Sequence, residues 1–296
     1  MNLRRSAAAR LEGWANRADA GRRRNVNEAI VLLGVGLVAG VAGGLFGIGG
    51  SIVMIPAMTW LLGPDQHLYQ AAAMIVNFFL VLPAVRQHVR AGVIDREVIS
   101  RLIPPALGAM IIGVLVSELA YFKGEGEAVL RLLFGTFVLA CAGVEAARLV
   151  RPAGSGAGGE SSSALTWPRA VFVAVPTGVI GGMLGVGGGV VAVPMQRRFL
   201  GMKLTTAIAN SSATIAATSL VGAAVKNWAV LTDGAAHARS PFLLAGLLIP
   251  TAMAGSLCGA SLVHRLPRRK LAIGFVMLLI YVAGRMIHGA ADVLLT

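Results

Sequence analysis

The chain has 296 residues, of which 56% are hydrophobic and 13% charged, and its mean hydropathy is +0.76. Soluble domains carry about 25% charged residues, so a water-facing shell is excluded and most of this surface must face lipid. The net charge of +13 and pI near 11.3 would suggest nucleic acid in a soluble protein. Here Lys and Arg sit mainly between apolar segments, which fits anchoring on a bilayer with anionic lipids and no nucleic-acid partner.

Residues 1–27 carry seven arginines and no apolar core of a secretory signal; they read as a cytoplasmic basic tail. Apolar segments follow at 29–46, 68–85, 102–121, 129–147, 170–186, 204–225, 241–263 and 271–284. Each approaches the length of a helical span, about 17–25 residues, and none shows the alternation of a barrel strand. The expected fold is all-α and integral to the membrane, with a first transmembrane repeat at 28–150, a Gly/Ser linker at 151–167 (RPAGSGAGGESSS at its core) and a second repeat at 168–296.

The repeat rests on a glycine motif. Residues 43–56 read GGLFGIGGSIVMIP and residues 181–194 read GGMLGVGGGVVAVP, with seven of fourteen positions identical at an offset of 138. LIPPALGAMIIG at 102–113 pairs similarly with LIPTAMAGSLCG at 248–259. Paired breaks in the two halves of a membrane protein point to a transporter's binding site. About four helices per half are expected, each half with a glycine-broken helix near its start. The favoured topology treats the break as a bend inside one crossing. The swapped basic content of loops 63–68 and 197–203 keeps inverted repeats as the alternative.

Glycine allows positive φ and close approach to a ligand, and a helix restarted inside the membrane offers free N–H groups to an anion. The candidate substrate contacts are therefore Gly47, Gly49, Gly50 and Ser51 facing Gly185, Gly187, Gly188 and Gly189. The competing reading is GxxxG helix packing, at Gly36/Gly40/Gly44 and Gly178/Gly182 among others. Asn77 and Asn210, near corresponding positions after the two motifs, join the site, with Ser211 beside the latter. Arg86 and Lys226 end corresponding helices; they either snorkel to the interface or draw an oxyanion inward. His88 is the candidate for a coupling proton. Glu118 and Glu145 lie near helix ends and make unconvincing proton carriers. Cys141 and Cys258 are isolated and read as small apolar residues. No metal spacing, cofactor motif or catalytic pattern is present, so no catalytic residue, cofactor or metal is expected and the chain does not read as an enzyme.

The doubled motif, Gly47-Ile48-Gly49-Gly50 to Pro56 and Gly185-Val186-Gly187-Gly188-Gly189 to Pro194, resembles the TauE/SafE family of sulfite exporters, also called the toluene-sulfonate uptake permeases, over roughly residues 29–289. Ser51 stands where the second copy has Gly189. The resemblance implies secondary transport of small sulfur-containing anions, sulfite or organosulfonates such as sulfoacetate, with export the expected direction. The expected setting is the cell inner membrane, multi-pass, with alternating access around the paired breaks; a homo-oligomer is compatible with it. An anion channel on the same scaffold and a non-transporting membrane scaffold are the rivals.

Overall fold

The computed structural model describes residues 27–150, 166–232, 239–262 and 268–295. The basic tail and the linker expected from the sequence lie almost entirely outside the described residues. Ten α-helices and two short 3-10 turns are present, with no strand among the described residues: α1 (Asn27–Phe46), α2 (Ser51–Leu62), α3 (Gln66–Arg90), α4 (Arg96–Ser117), α5 (Glu127–Val150), α6 (Trp167–Leu184), α7 (Gly189–Phe199), α8 (Leu204–Thr232), α9 (Pro241–Leu262) and α10 (Arg268–Leu294). Eight are long and apolar enough to cross a bilayer, so the chain is a multi-pass membrane protein. The other two, α2 with 12 residues and α7 with 11, are half-helices. At 1.5 Å per residue they rise about 16–18 Å, against a hydrocarbon core of about 30 Å.

Local chemistry starts these helices where it should. The Asp65 carboxylate accepts the Leu68 N–H at 3.1 Å and caps α3, and Asp95 does the same for α4 through Glu97 and Val98. The outward faces carry Ile112, Leu139 and Ile280, while Trp60, Trp228 and Tyr121 lie exposed toward one end of the bundle and Trp167 at the other, as expected of lipid contact with aromatic girdles.

Both breaks turn the chain back on itself. Gly50, at the head of α2, lies against Ala39 of α1, and Gly188, at the head of α7, lies against Thr177 of α6. Further along, α2 ends at Gly63, whose carbonyl takes the Tyr69 hydroxyl at 2.7 Å. Asp65, Glu127 and Arg239 gather around the same tyrosine, and Arg239 pairs with Glu28 at the start of α1 at 2.6 Å. Hence α1 and α2 form a hairpin that enters and leaves by one end, called here the near end. In the same way Phe199 at the close of α7 meets Phe172 near the start of α6 edge to face, centroids 4.9 Å apart. That hairpin belongs to the far end, with Val98 of α4 in the same cluster as Ala170 of α6.

The two halves therefore run in opposite senses. The start of α3 meets the end of α8 through His67 and Lys226, and Asp95, just before α4, meets Asn210 near the start of α8. The favoured plan of a bend within one crossing gives way to the inverted arrangement, because each glycine turn reverses the chain. Loops 63–68 and 197–203 accordingly lie at opposite ends, which accounts for their different basic content. Each hairpin packs on the other half. Gly36, Gly40 and Gly44 of α1 sit on the backbone of α9 at Leu248, Ala252 and Ser256, and Gly178 and Gly182 of α6 on α4 at Ala106 and Met110. For these glycines the packing reading holds.

Candidate functional site: two opposed glycine turns

The glycine turns meet in the middle of the bundle. Gly47, Gly49, Gly185, Gly187 and Gly188 all have positive φ, between 65° and 84°. At Gly49 and Gly187 the requirement is double, since the left-handed backbone disfavours a side chain and the space is tight at Gly49 and filled at Gly187. A methyl on Gly49 would lie 3.1 Å from Asn77 Oδ1, and one on Gly187 would lie 2.7 Å from Ser219 Oγ and 3.4 Å from Asn77 Nδ2.

Asn77 of α3, with no exposed surface, joins the two turns. Its Oδ1 accepts the Gly50 N–H at 2.9 Å and its Nδ2 donates to Ser51 Oγ. The second turn is held from α8. Thr218 Oγ1 lies 3.0 Å from the Gly187 carbonyl and shares its one proton between that oxygen and the Thr214 carbonyl of its own helix at 2.8 Å, and Ser211 Oγ lies 3.5 Å from the Gly189 carbonyl. Ser219 Oγ is buried beside Gly187 with no partner.

The half-helices bring their N-termini to this point from opposite ends. A methyl on Gly189 would lie 3.1 Å from the Ile48 carbonyl, so the head of α7 abuts the turn before α2. Among the described residues, the N–H groups of Ser51, Ile52, Gly189 and Val190 have no acceptor. Unsatisfied N–H groups at a helix start carry partial positive charge, and the two helix starts lie close to one another. The chemistry this favours is attraction of a small anion. Among the described residues no cluster of His, Cys, Asp or Glu could hold a metal.

The remaining sequence candidates fall elsewhere. Asn210 is fully buried but serves the far end, where its Oδ1 accepts the Asp95 N–H at 2.9 Å; it does not reach the glycine turns. Arg86 and His88 lie toward the far end of α3, the first exposed and the second half-buried. Lys226 lies at the near end with no exposed surface. Its ammonium meets Glu118 Oε1 at 2.6 Å, Ser117 Oγ at 2.9 Å and His67 Nδ1 at 2.9 Å, so no donor is left to draw an oxyanion. Inversion puts Arg86 and Lys226 at opposite ends, and the two cations cannot flank one anion.

Those contacts also bring back Glu118, which the sequence reading weighed and set aside, and add His67 and Gln70, which it did not name. Glu118 follows the last turn of α4. Burial raises its carboxyl, but the His67 ring, when Nδ1 carries a proton, and the Lys226 ammonium outweigh that and hold it well below the ordinary carboxylate value. His67 and Gln70 open α3 in the segment QHLYQ, a polar start to an apolar helix that could have marked them. Gln70 Nε2 reaches the Met183 carbonyl at 3.2 Å, beside the second turn.

The model of the family described as sulfite exporter TauE/SafE matches residues 32–286, which takes in both glycine turns, the whole of α2 to α9 and most of α1 and α10. The chain belongs to the sulfite exporter TauE/SafE family. Relatives with similar sequences include the probable membrane transporter protein MamO of Paramagnetospirillum magneticum, 28% identical over 83% of this chain and 42% of the relative. MamO of Magnetospirillum gryphiswaldense is 29% identical over 81% of this chain and 42% of the relative. The chain thus spans about two fifths of the length of the MamO proteins. It spans 97% of the probable membrane transporter protein YunE of Bacillus subtilis, at 24% identity over 88% of this chain. No solved structure matches. The glycine turns that carried the resemblance are the turns that reverse its two hairpins.

Proposed function

We propose that this chain is a secondary transporter of small sulfur-containing anions, sulfite or an organosulfonate such as sulfoacetate, working in the export direction across a cell inner membrane. The observation that carries the reading is the convergence of the two half-helix starts on Asn77, each entering from a different end. A small oxyanion there would take N–H groups from α2 and α7 together, with Ser51 and Ser219 hydroxyls beside them. Alternating access follows naturally, because each half contributes one hairpin and packs it on the other half.

The energy source is the membrane potential or a proton gradient. A monovalent anion leaving a negative interior gains about 2.3 kcal/mol per 100 mV. The sulfur in the substrate comes from the family's description; the geometry supports only a small anion. The test is counterflow in proteoliposomes. Vesicles preloaded with unlabelled sulfite should transiently concentrate labelled sulfite, and sulfoacetate should compete. Unsaturable flux with unitary currents in planar bilayers would instead establish an anion channel.

A further inference from the structure

Beyond the glycine turns, the bundle buries a charged trio at its near end. Lys226 of α8 has no exposed surface and His67 of α3 has 6%. His67 Nε2 lies 2.9 Å from the Phe122 carbonyl oxygen. A carbonyl oxygen only accepts, so Nε2 carries a proton. That leaves Nδ1 a single choice, with the Lys226 ammonium at 2.9 Å and Glu118 Oε1 at 3.2 Å. Unprotonated, Nδ1 accepts from Lys226. Protonated, it donates to Glu118 and faces the ammonium as a second cation. The two arrangements exclude each other.

The surroundings sharpen the choice. Glu118 Oε2 also faces Lys123 at 3.5 Å. On α5, Glu127 bears on Lys226 by its charge and is itself engaged by the Gln66 N–H at 3.1 Å and by Arg131 at 3.7 Å. Ser117 Oγ, which donates to the Val114 carbonyl, is the remaining polar contact of the ammonium.

The trio also ties together the two helices that hold the glycine turns. Asn77 lies on α3 about 15 Å from His67, and Thr218 on α8 about 12 Å from Lys226. A change in the His67–Lys226 bond therefore bears on both turns through rigid helices.

We propose that His67, Glu118 and Lys226 form a proton-binding site linked to transport, with His67 Nδ1 the atom that takes and releases the proton. Binding one proton turns the imidazole into imidazolium, moves its hydrogen bond from Lys226 to Glu118 and raises the charge of the trio by one. The coupling part of this inference rests on the transport reading given above.

The test uses the full chain in proteoliposomes loaded with a pH-reporting dye, with labelled sulfoacetate as probe because it does not titrate in the range where imidazole does. One coupled proton supports an accumulation of about tenfold per imposed pH unit, so the wild-type protein should reach that in one orientation of the gradient and move protons with the probe. His67→Gln, which keeps an acceptor for Lys226 but takes no proton, should equilibrate the probe without accumulating it. Accumulation by His67→Gln equal to wild type, or a wild-type flux indifferent to the gradient, overturns the proposal. If the wild-type protein passes no sulfoacetate, the transport reading fails for this probe, and the unfolding midpoint in detergent then decides the proton site. A wild-type pH profile that departs from that of His67→Gln through the imidazole range supports the site, and superimposable profiles overturn it. Should His67→Gln not fold, the wild-type protein decides alone: protons that move with the probe support the site, and probe flux without them overturns it.

Discussion

Asn77 Oδ1 accepts the Gly50 N–H at 2.9 Å, and that bond ties the head of α2 to the middle of α3. The same amide reaches Ser51 and stands beside Gly187 of the opposite hairpin. Asn77→Ala leaves the Gly50 N–H without an acceptor in a buried place, which should cost about 1–3 kcal/mol. Asn77→Asp keeps the acceptor but puts a carboxylate where an anion is to bind. Both should lose flux, and Asp should do so with the smaller drop in unfolding midpoint, measured in detergent.

Substitution at the turns separates site from packing. Gly49→Ala and Gly187→Ala force a side chain into left-handed backbone, at about 1–2 kcal/mol each, and against Asn77 and Ser219. Gly108→Ala of α4 meets open space and should be neutral or slightly stabilising. Flux should fall at least tenfold in the first two and stay unchanged in the third, read in proteoliposomes at matched protein content.

The packing glycines should fail differently. Gly40→Leu runs into the Ala252 carbonyl of α9, and Gly182→Leu into the Met110 carbonyl of α4. Overpacking of this kind costs about 1–3 kcal/mol or more. Reduced folded yield on size exclusion, with residual flux in proportion to the folded fraction, is the expected result.

Much of this architecture is legible in the sequence. The eight apolar segments correspond to the eight candidate spans, and both glycine motifs fall at real breaks. The glycines alone could not tell a reversal from a bend, because both need the same residues, and only the swapped loop charges hinted at it; the contacts of Gly50 with Ala39 and Gly188 with Thr177, and of the hairpin ends with each other, tell them apart. Asn210 misled because it occupies a place similar to Asn77 on the corresponding helix, whereas α8 holds its turn through Thr218 instead. The bonds of Lys226 join residues as far as 159 positions apart, a relation no local pattern encodes.

Ser219 offers a finer test. Among the described residues its hydroxyl has no hydrogen-bond partner, so Ser219→Ala should change stability by no more than about 0.5 kcal/mol. If the hydroxyl serves the anion, KM should rise severalfold with the unfolding midpoint unmoved. Thr218→Val, which loses the bond to the Gly187 carbonyl, should lower the midpoint as well, by about 0.5–1.5 kcal/mol.

That the two glycine turns together form an anion site is tested most directly by uptake of radiolabelled sulfite into proteoliposomes under an imposed potential, comparing wild type with Gly49→Leu and Gly187→Leu. The predicted result is saturable, potential-driven flux that either substitution abolishes while the protein still reconstitutes. Wild-type flux that survives both substitutions would show that the turns only shape the fold and that the site lies elsewhere.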